Sequence, residues 1–503
     1  MIGIFLISLL VLFLVHQFYW RKRNLPKGPI AWPLVGSTLA LMKLERWEDK
    51  FLEWSKKYGN IHTYFLGNMP VIAVNDYETM VELFVKNGDD FTERAPTEVL
   101  DKEVRESSGE LWRSQRRFAL TVFRNFGLNK QKMQERVLEE LQTICGNIDE
   151  EIKSAPNNEI DFHKHTDIAT GSLINAILCG FRFTTNGQEK LFYRLKELLE
   201  QLMLSFSSPI LMLAMMNEFM SKLPIFRTRF RACVNLNLEI RDYIEKCVDE
   251  HIASTDYSTD EFEPRDFIDA FLFEQKKEEA KGEPTYFTKT QLLATILDLW
   301  FAGQETTSTT LTWGFAYLIR HPEAQQKLHA ELDRVIGSDR LITMSDKNDL
   351  PYTNAVEIQR LVLNKRIDSR KCANIIGQNL LRRTGRDMKI SGYDVPKGTI
   401  IIPQISVPMV DPKIFPEPKK FNPDRFIDAN GKLKRCEEFM PFSLGKRQCL
   451  GESLARTELF LFIANLCNLY KFLPGEKPPT LNKTTTGFAF AIAPYVCKLE
   501  KRY

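Results

Sequence analysis

The sequence predicts a mainly α-helical domain with a small β-rich portion, carried behind an N-terminal helix apolar enough to cross a membrane. Three observations predict it. Residues 2–15 are apolar apart from Ser8. Residues 111–350 repeat apolar side chains at helical spacing. Short strand-like runs with turn residues between them occur near residues 61–75 and again beyond residue 380. A chain of 503 residues with 44% hydrophobic content can bury a large core.

The first helix takes about 20 residues to span a hydrocarbon layer roughly 30 Å thick. Phe18, Tyr19 and Trp20 form an aromatic end suited to headgroups, and Arg21, Lys22 and Arg23 place the rest of the chain in the cytosol. A cleaved signal peptide would need a basic start and a small-residue cleavage site, and the sequence has neither. The expected organisation is a signal-anchor over 1–20, a basic proline-rich linker over 21–45 and a catalytic domain over 46–503. Leu25–Pro33 holds too many prolines for a helix and reads as a stiff spacer.

Arg46–Tyr58 then reads as a short amphipathic helix. Ile61–Leu66 and Val71–Asn75 read as strands joined by Gly67-Asn68-Met69-Pro70. A long apolar helix begins near Thr288, where Thr288 and Gln291 have the spacing of a capping box. Pro322 opens another helix, with Ala324, Leu328, Leu332, Val335 and Ile336 on its apolar face. Asp387–Gly398 reads as turn residues.

Several classes of function are excluded. A net charge of +3 is too small to argue for nucleic acid. Nine cysteines in a cytosolic domain imply reduced thiols. The sequon Asn482-Lys483-Thr484 would face the cytosol unused. His163 and His165, two apart and without further ligands nearby, do not make a metal site.

Residues 442–451 read Phe-Ser-Leu-Gly-Lys-Arg-Gln-Cys-Leu-Gly. A cysteine between two glycines and beside an arginine, in a loop leading into a helix, suits axial thiolate ligation of a haem iron. Such ligation pushes electron density onto the metal and favours O–O cleavage. In this reading Cys449 is the ligand and Gly445 permits the tight turn. Gly451 permits close approach of backbone to macrocycle. Arg447 reaches a haem propionate and Phe442 packs on the ring. A buried structural cysteine, the ordinary alternative, would not need that company.

A second motif, Ala302-Gly303-Gln304-Glu305-Thr306-Thr307, lies inside the long helix. A mid-helix threonine can bond back to the carbonyl four residues earlier, here from Thr306 to Ala302, and bend the helix. With Gly303 beside that carbonyl, the groove has room for dioxygen. Thr306 would then act beside it while Glu305 links to a proton supply.

On these motifs the chain resembles the cytochrome P-450 family of haem–thiolate monooxygenases, the microsomal type related to its family 2, over nearly all its length. The resemblance implies the cytochrome P-450 fold and haem b (iron protoporphyrin IX) as cofactor. It makes Trp112 and Arg116, in Trp112-Arg113-Ser114-Gln115-Arg116, propionate partners together with Arg94 and Arg382. It also makes Glu357 and Arg360, in Glu357-Ile358-Gln359-Arg360, a structural set with Arg425 that fixes the loop beneath the haem. The implied activity is insertion of one oxygen atom from O2 into a lipophilic small molecule: foreign compound, fatty acid or steroid. No flavin or nucleotide motif is present, so electrons from NADPH must arrive through NADPH–cytochrome P-450 reductase, with cytochrome b5 as a further donor. Lys419, Lys420, Lys432, Lys434, Arg435 and Lys446, with Arg113, Arg117 and Arg124, are the cations expected to meet that acidic partner. The expected location is the endoplasmic reticulum membrane. Substrate contacts are expected at Thr97–Ser108, Leu297–Thr306 and Gly487–Phe490. A haem–thiolate isomerase or dehydratase is the rival enzyme, disfavoured because it has no use for Glu305 and Thr306. A haem-poor membrane protein is the other rival, raised by residues 352–381.

In that segment the chain departs from the family pattern. Glu357 follows Val356 two residues early, which turns the preceding helix face by about 200°. Val362–Cys372 then inserts 11 residues, five of them Lys, Arg or Asp, without helix or strand period. They read as an exposed loop of the kind a misplaced splice boundary leaves. The transcript across codons 350–385 is expected to lack codons for those 11 residues. An mRNA encoding all of them would show the insertion to be genuine.

Overall fold

The computed structural model describes residues 2–33, 35–42, 47–94, 108–125, 130–185, 187–206, 211, 222–258, 262–282, 284–362, 379–418, 420–481, 483–485 and 490–503. The insertion after Val362, Lys419, nearly all of Thr97–Ser108, and Gly487–Ala489 lie outside them. Two compact units form from interleaved stretches of chain. One takes residues 1–97, 376–419 and 436–449, the other residues 98–375, 420–435 and 450–503. Helices of ten or more residues, and strands, are numbered along the chain.

The first unit begins with α1 (Ile2–Phe18), whose residues are almost all exposed. Together with the turn to Lys22 it is the one candidate membrane span among the described residues. After α2 (Trp47–Tyr58), the strands β1 (Ile61–Leu66), β2 (Met69–Val74), β3 (Glu93–Arg94), β5 (Arg382–Arg383) and β8 (Ile400–Pro403) build one sheet in the order β1-β2-β8-β5-β3. β1 and β2 are antiparallel, with Leu66 opposite Met69, so the turn is Gly67-Asn68 alone. Pro70 therefore stands inside β2, where a longer turn was expected. It is tolerated because the parallel pairing of β2 with β8 starts only at Val71. The expected turn Asp387–Gly398 contains a small hairpin, β6 (Met388–Ile390) with β7 (Tyr393–Val395). Ile72, Val74, Phe84, Phe91, Ile401 and Leu444 belong to this unit's own core.

The proline-rich linker was expected to hold the domain off the membrane helix. Instead it lies along β1. Thr63 N donates to Lys27 O at 3.3 Å, and a Cβ at Gly28 would sit 1.8 Å from Thr63 O. The Arg21 guanidinium lies 5.0 Å from the Phe65 ring centroid and reaches Asn68. Prolines fix an extended backbone, and β1 is an edge strand that can receive one.

The second unit holds α3 (Gly109–Phe123), α4 (Lys130–Ser154), α5 (Phe162–Cys179), α6 (Glu189–Phe206), α7 (Pro224–Ser254), α8 (Phe267–Glu279), α9 (Lys289–Arg320), α10 (Pro322–Val335), α11 (Pro351–Val362) and α12 (Glu452–Leu469). Its strands are β4 (Glu159–Ile160), β9 (Tyr470–Pro474) and β12 (Cys497–Lys501) in the order β4-β12-β9, and the pair β10 (Lys483–Thr485) with β11 (Phe490–Ile492). Leu311–Ile319 of α9 and His165–Asn175 of α5 are buried on every side, as helices at the centre of a core must be. Phe162, Phe315 and Phe472 stack between them and β9, with ring centroids 4.4–5.1 Å apart.

The two missing residues before Glu357 were expected to turn apolar side chains outward or to unwind the helix start. Neither happens. α11 begins at Pro351, its amides at Tyr352 and Thr353 each donating at 2.8 Å to the Glu331 carboxylate, an anion well placed at a helix N-terminus. Thr353–Glu357 are all buried, so this turn has no outward face to mismatch.

The exposed apolar α1 gives a first prediction. Deleting residues 2–20 should move much of the protein from the membrane fraction to the soluble fraction. Recovery of the full-length chain wholly in the soluble fraction would contradict the anchor.

Candidate active site

In the first unit the cysteine loop is fixed by backbone geometry. Gly445 has φ of 75°, and a Cβ there would fall 1.7 Å from the carbonyl oxygen of Phe84. That oxygen belongs to backbone and cannot step aside, so position 445 accepts only glycine. Gly445–Arg447 makes one tight turn, and Cys449 N closes the loop on Phe442 O at 3.0 Å. The Cys449 thiol is exposed. A Cβ at Gly451 would meet no atom of the described residues within 4 Å.

Arginines surround this loop. Arg94 stands directly opposite Arg382 across β3 and β5, so both side chains leave the same face of the sheet. Arg382 is 2% exposed; its Nη2 donates to Ser443 Oγ and Leu444 O, both at 3.2 Å, and its guanidinium lies 4.7 Å from the Phe84 ring centroid. Ser443, at φ of 63°, also accepts from Asn379 Nδ2 at 2.9 Å. Arg447 Nε donates to Thr92 O at 2.7 Å, two residues before Arg94 in the chain. An exposed thiol in a glycine-locked loop and guanidinium groups for carboxylates together fit a haem b with its two propionates.

The second unit carries the other motif. Thr288 caps α9, its hydroxyl accepting from Gln291 N at 3.2 Å. Thr306 Oγ1 donates to Ala302 O at 2.7 Å, the back-bond expected from sequence, and Thr310 does the same to Thr306 O at 2.7 Å. Glu305 Oε1 accepts from Thr309 at 3.4 Å. Gly303 was read as room for dioxygen. In the structure a Cβ there would lie 2.8 Å from Ile174 Cγ1, so the glycine serves close packing of α9 on α5. On α3, Arg116 lies 5.8 Å from the Trp112 ring centroid, so indole and guanidinium stand side by side.

Around Glu357 the described residues show a partner outside the E-x-x-R motif. Glu357, 2% exposed, forms an ion pair with Lys347 Nζ at 3.2 Å, and its Oε1 is buried with no hydrogen-bond partner among the described residues. The same ammonium lies 4.8 Å from the Phe460 ring centroid. Arg425 donates to Lys420 O at 2.8 Å and Asn422 O at 3.3 Å. The Arg360 side chain lies outside the described residues. Lys347 had no motif to announce it.

Glu458 was missed too, although a lone acid within Glu458-Leu-Phe-Leu-Phe-Ile-Ala is a signal in itself. It is 3% exposed, and burial pushes its pKa up to about 8 against the opposing hydrogen bond from Thr307.

The model of the family described as cytochrome P450 matches residues 26–499, and the chain belongs to that family. Its members are haem-dependent monooxygenases, and this chain is one. Among named relatives, cytochrome P450 2H1 of Gallus gallus is 36% identical over 491 residues, 95% of this chain and 94% of that protein. Cytochrome P450 2B2 of Rattus norvegicus is 35% identical over 497 residues, 95% of this chain and 94% of its own. Cytochrome P450 2E1 of Oryctolagus cuniculus is 34% identical over 473 residues, 92% and 91%. Within the family the chain is thus similar to members of family 2.

Glu458 gives a prediction in pH. Between the ordinary carboxylate value and about 8, the folded protein keeps a proton that the unfolded chain releases. Stability contributed by this group therefore falls as pH rises through that window. Glu458→Gln, which mimics the neutral acid, should remove that part of the decline, so the variant's melting temperature rises relative to that of wild type from pH 5 to pH 8. A gap independent of pH would mean Glu458 is ionised in the folded protein.

Proposed function

We propose that this enzyme inserts one atom of dioxygen into a lipophilic small molecule, drawing two electrons from NADPH through NADPH–cytochrome P-450 reductase. The other oxygen atom leaves as water. The observation that carries the reading is Thr306, bonded back to Ala302 with Glu305 beside it, in the same chain as an exposed cysteine in a glycine-locked loop.

Haem b, when bound, supplies the centre at which dioxygen is activated and the substrate oxidised. Cys449 would hold its iron. Arg94, Arg382 and Arg447 of the first unit and Trp112 with Arg116 of the second would bind its propionates, and Phe442 would pack on the ring. The pairing of Arg94 with Arg382 supports this, because it sets two guanidinium groups on one face of the sheet, where two carboxylates could be met. Thr306 Oγ1 already gives its own proton to Ala302 O, so its lone pairs are left to accept a hydrogen bond at the helix surface. To relay a proton, the hydroxyl would turn its own hydrogen from Ala302 O to the reacting oxygen and take another in exchange from the supply to which Glu305 links it. Glu357 with Lys347, Arg360 and Arg425 would act as scaffold.

Lys432, Lys434, Arg435, Arg117, Arg124 and Lys446 are exposed and would meet an acidic flavoprotein, with cytochrome b5 a second donor for the same cations. The chain's location would be the endoplasmic reticulum membrane, α1 inserted and the catalytic domain cytosolic. Foreign compounds, fatty acids and steroids all satisfy the apolar stretch Leu297–Thr306.

Thr306→Ala tests the reading. In membranes with reductase and NADPH, the variant should keep its haem–thiolate spectrum but form several-fold less product per NADPH, the missing electrons appearing as hydrogen peroxide. An unchanged product-to-NADPH ratio would rule out proton delivery through Thr306.

A further inference from the structure

The helix that bears Thr306 is held from its far side. Ser308 and Thr312 follow Thr306 by two and six residues, so they stand about 200° and 240° round α9 from it. Both meet α5. Ser308 Oγ donates to Asp167 Oδ1, and the hydroxyls of Thr312 and Thr166 lie 3.2 Å apart. Thr312 Oγ1 also bonds Ser308 O at 2.9 Å, which ties the two contacts together. All four residues are buried.

Asp167 is itself fixed. Its Oδ2 accepts from Lys196 Nζ on α6, and His163 Nε2 stands 3.2 Å from its Oδ1. An apolar pair of the same volume often serves stability as well as a buried ion pair does. What the ion pair adds here is a set place for the oxygen that Ser308 meets. A single attachment would leave α9 able to roll about its axis, whereas two attachments one turn apart oppose rolling. A roll of about 20° would carry a hydroxyl roughly 4 Å from the axis sideways by about 1.4 Å, and a misplacement on the order of 1 Å can cost about 100-fold in rate.

We propose that Asp167 is a positioning residue: through Ser308, and with Thr166 against Thr312 as the second point, it sets the rotation of α9 and so the place of the Thr306 hydroxyl. The inference rests on the reading of Thr306 as the group beside the reacting oxygen. Asp167 touches neither substrate nor cofactor in this account. It acts from the opposite side of the helix, and Lys196 serves as its counter-charge. Loss of one attachment leaves the other, so a single change should cost several-fold rather than everything.

Two double variants separate positioning from the stabilising effect of an ion pair. Asp167→Leu/Lys196→Met removes both charges and the oxygen that Ser308 meets. Asp167→Asn/Lys196→Met removes the charges but keeps an acceptor oxygen. With reductase and NADPH, the first should form several-fold less product per NADPH and more hydrogen peroxide, and the second should recover most of that loss. Ser308→Ala leaves the ion pair whole and should match the first, which keeps the test open if a double variant fails to fold. All three should show the reduced carbon-monoxide spectrum of wild type. In Ser308→Ala, amide hydrogen exchange across Ala302–Thr306 should quicken, a readout independent of turnover. If Ser308→Ala couples NADPH to product and exchanges as wild type does while Thr306→Ala uncouples, this proposal fails and the reading of Thr306 stands. Equal losses in the two double variants would also overturn it, because the ion pair and not the acceptor would then matter. If Thr306→Ala couples normally, the reading of Thr306 fails and this inference with it.

Discussion

The carbonyl oxygen of Phe84 stands where a side chain at residue 445 would begin, 1.7 Å from an ideal Cβ, and the cysteine loop folds around that fact. Because residue 445 can only be glycine, the turn Gly445–Arg447 can press against Val81–Lys86, and Cys449 N can then close on Phe442 O. The same approach brings Ser443 and Leu444 within reach of Arg382, which is tied by them and by the Phe84 ring. One contact thus sets the direction of the thiol and anchors an arginine whose partner across the sheet is Arg94. The loop is rigid for a reason that lies in the backbone, so its geometry does not depend on side-chain rotamers.

The second unit is organised by buried carboxyls, and each is satisfied differently. Glu331 meets the amides at the start of α11 and the hydroxyl of Thr353. Glu357 meets one ammonium, Lys347, on one oxygen. Glu458 remains protonated against Thr307. Asp167 gathers a hydroxyl, an imidazole and an ammonium. Burial of an acid costs several kcal/mol unless a donor or a proton answers it, so these positions are more constrained than the apolar core around them. Two of the four bond α9 itself, Glu458 at Thr307 and Asp167 at Ser308, so constraints converge on the helix that bears Thr306.

How much of this was legible in the sequence depends on what each signal encodes. Helices with one apolar face, such as α10 with Ala324, Leu328 and Leu332 inward, were readable because burial repeats along them. The back-bond of Thr306 was readable because it needs only residues four apart. The role of Gly303 was not, since its neighbour Ile174 lies over a hundred residues away and no local pattern announces it. The linker's seat on β1 was hidden for the same reason: proline content tells of stiffness, not of what the stiff segment meets. Lys347 and Lys196 are long-range counter-charges, and periodicity is blind to partners. The helix-face argument at Glu357 failed because Thr353–Glu357 is enclosed on all sides.

The central claim is that Cys449, presented by the locked loop, holds a haem as thiolate. The reduced carbon-monoxide difference spectrum of the full chain, taken beside that of Cys449→Ser, tests it most directly. The account predicts the long-wavelength Soret band of a haem–thiolate protein in the full chain and its loss in Cys449→Ser. A band that survives in Cys449→Ser, or a full chain that takes up haem without showing the band, would contradict it.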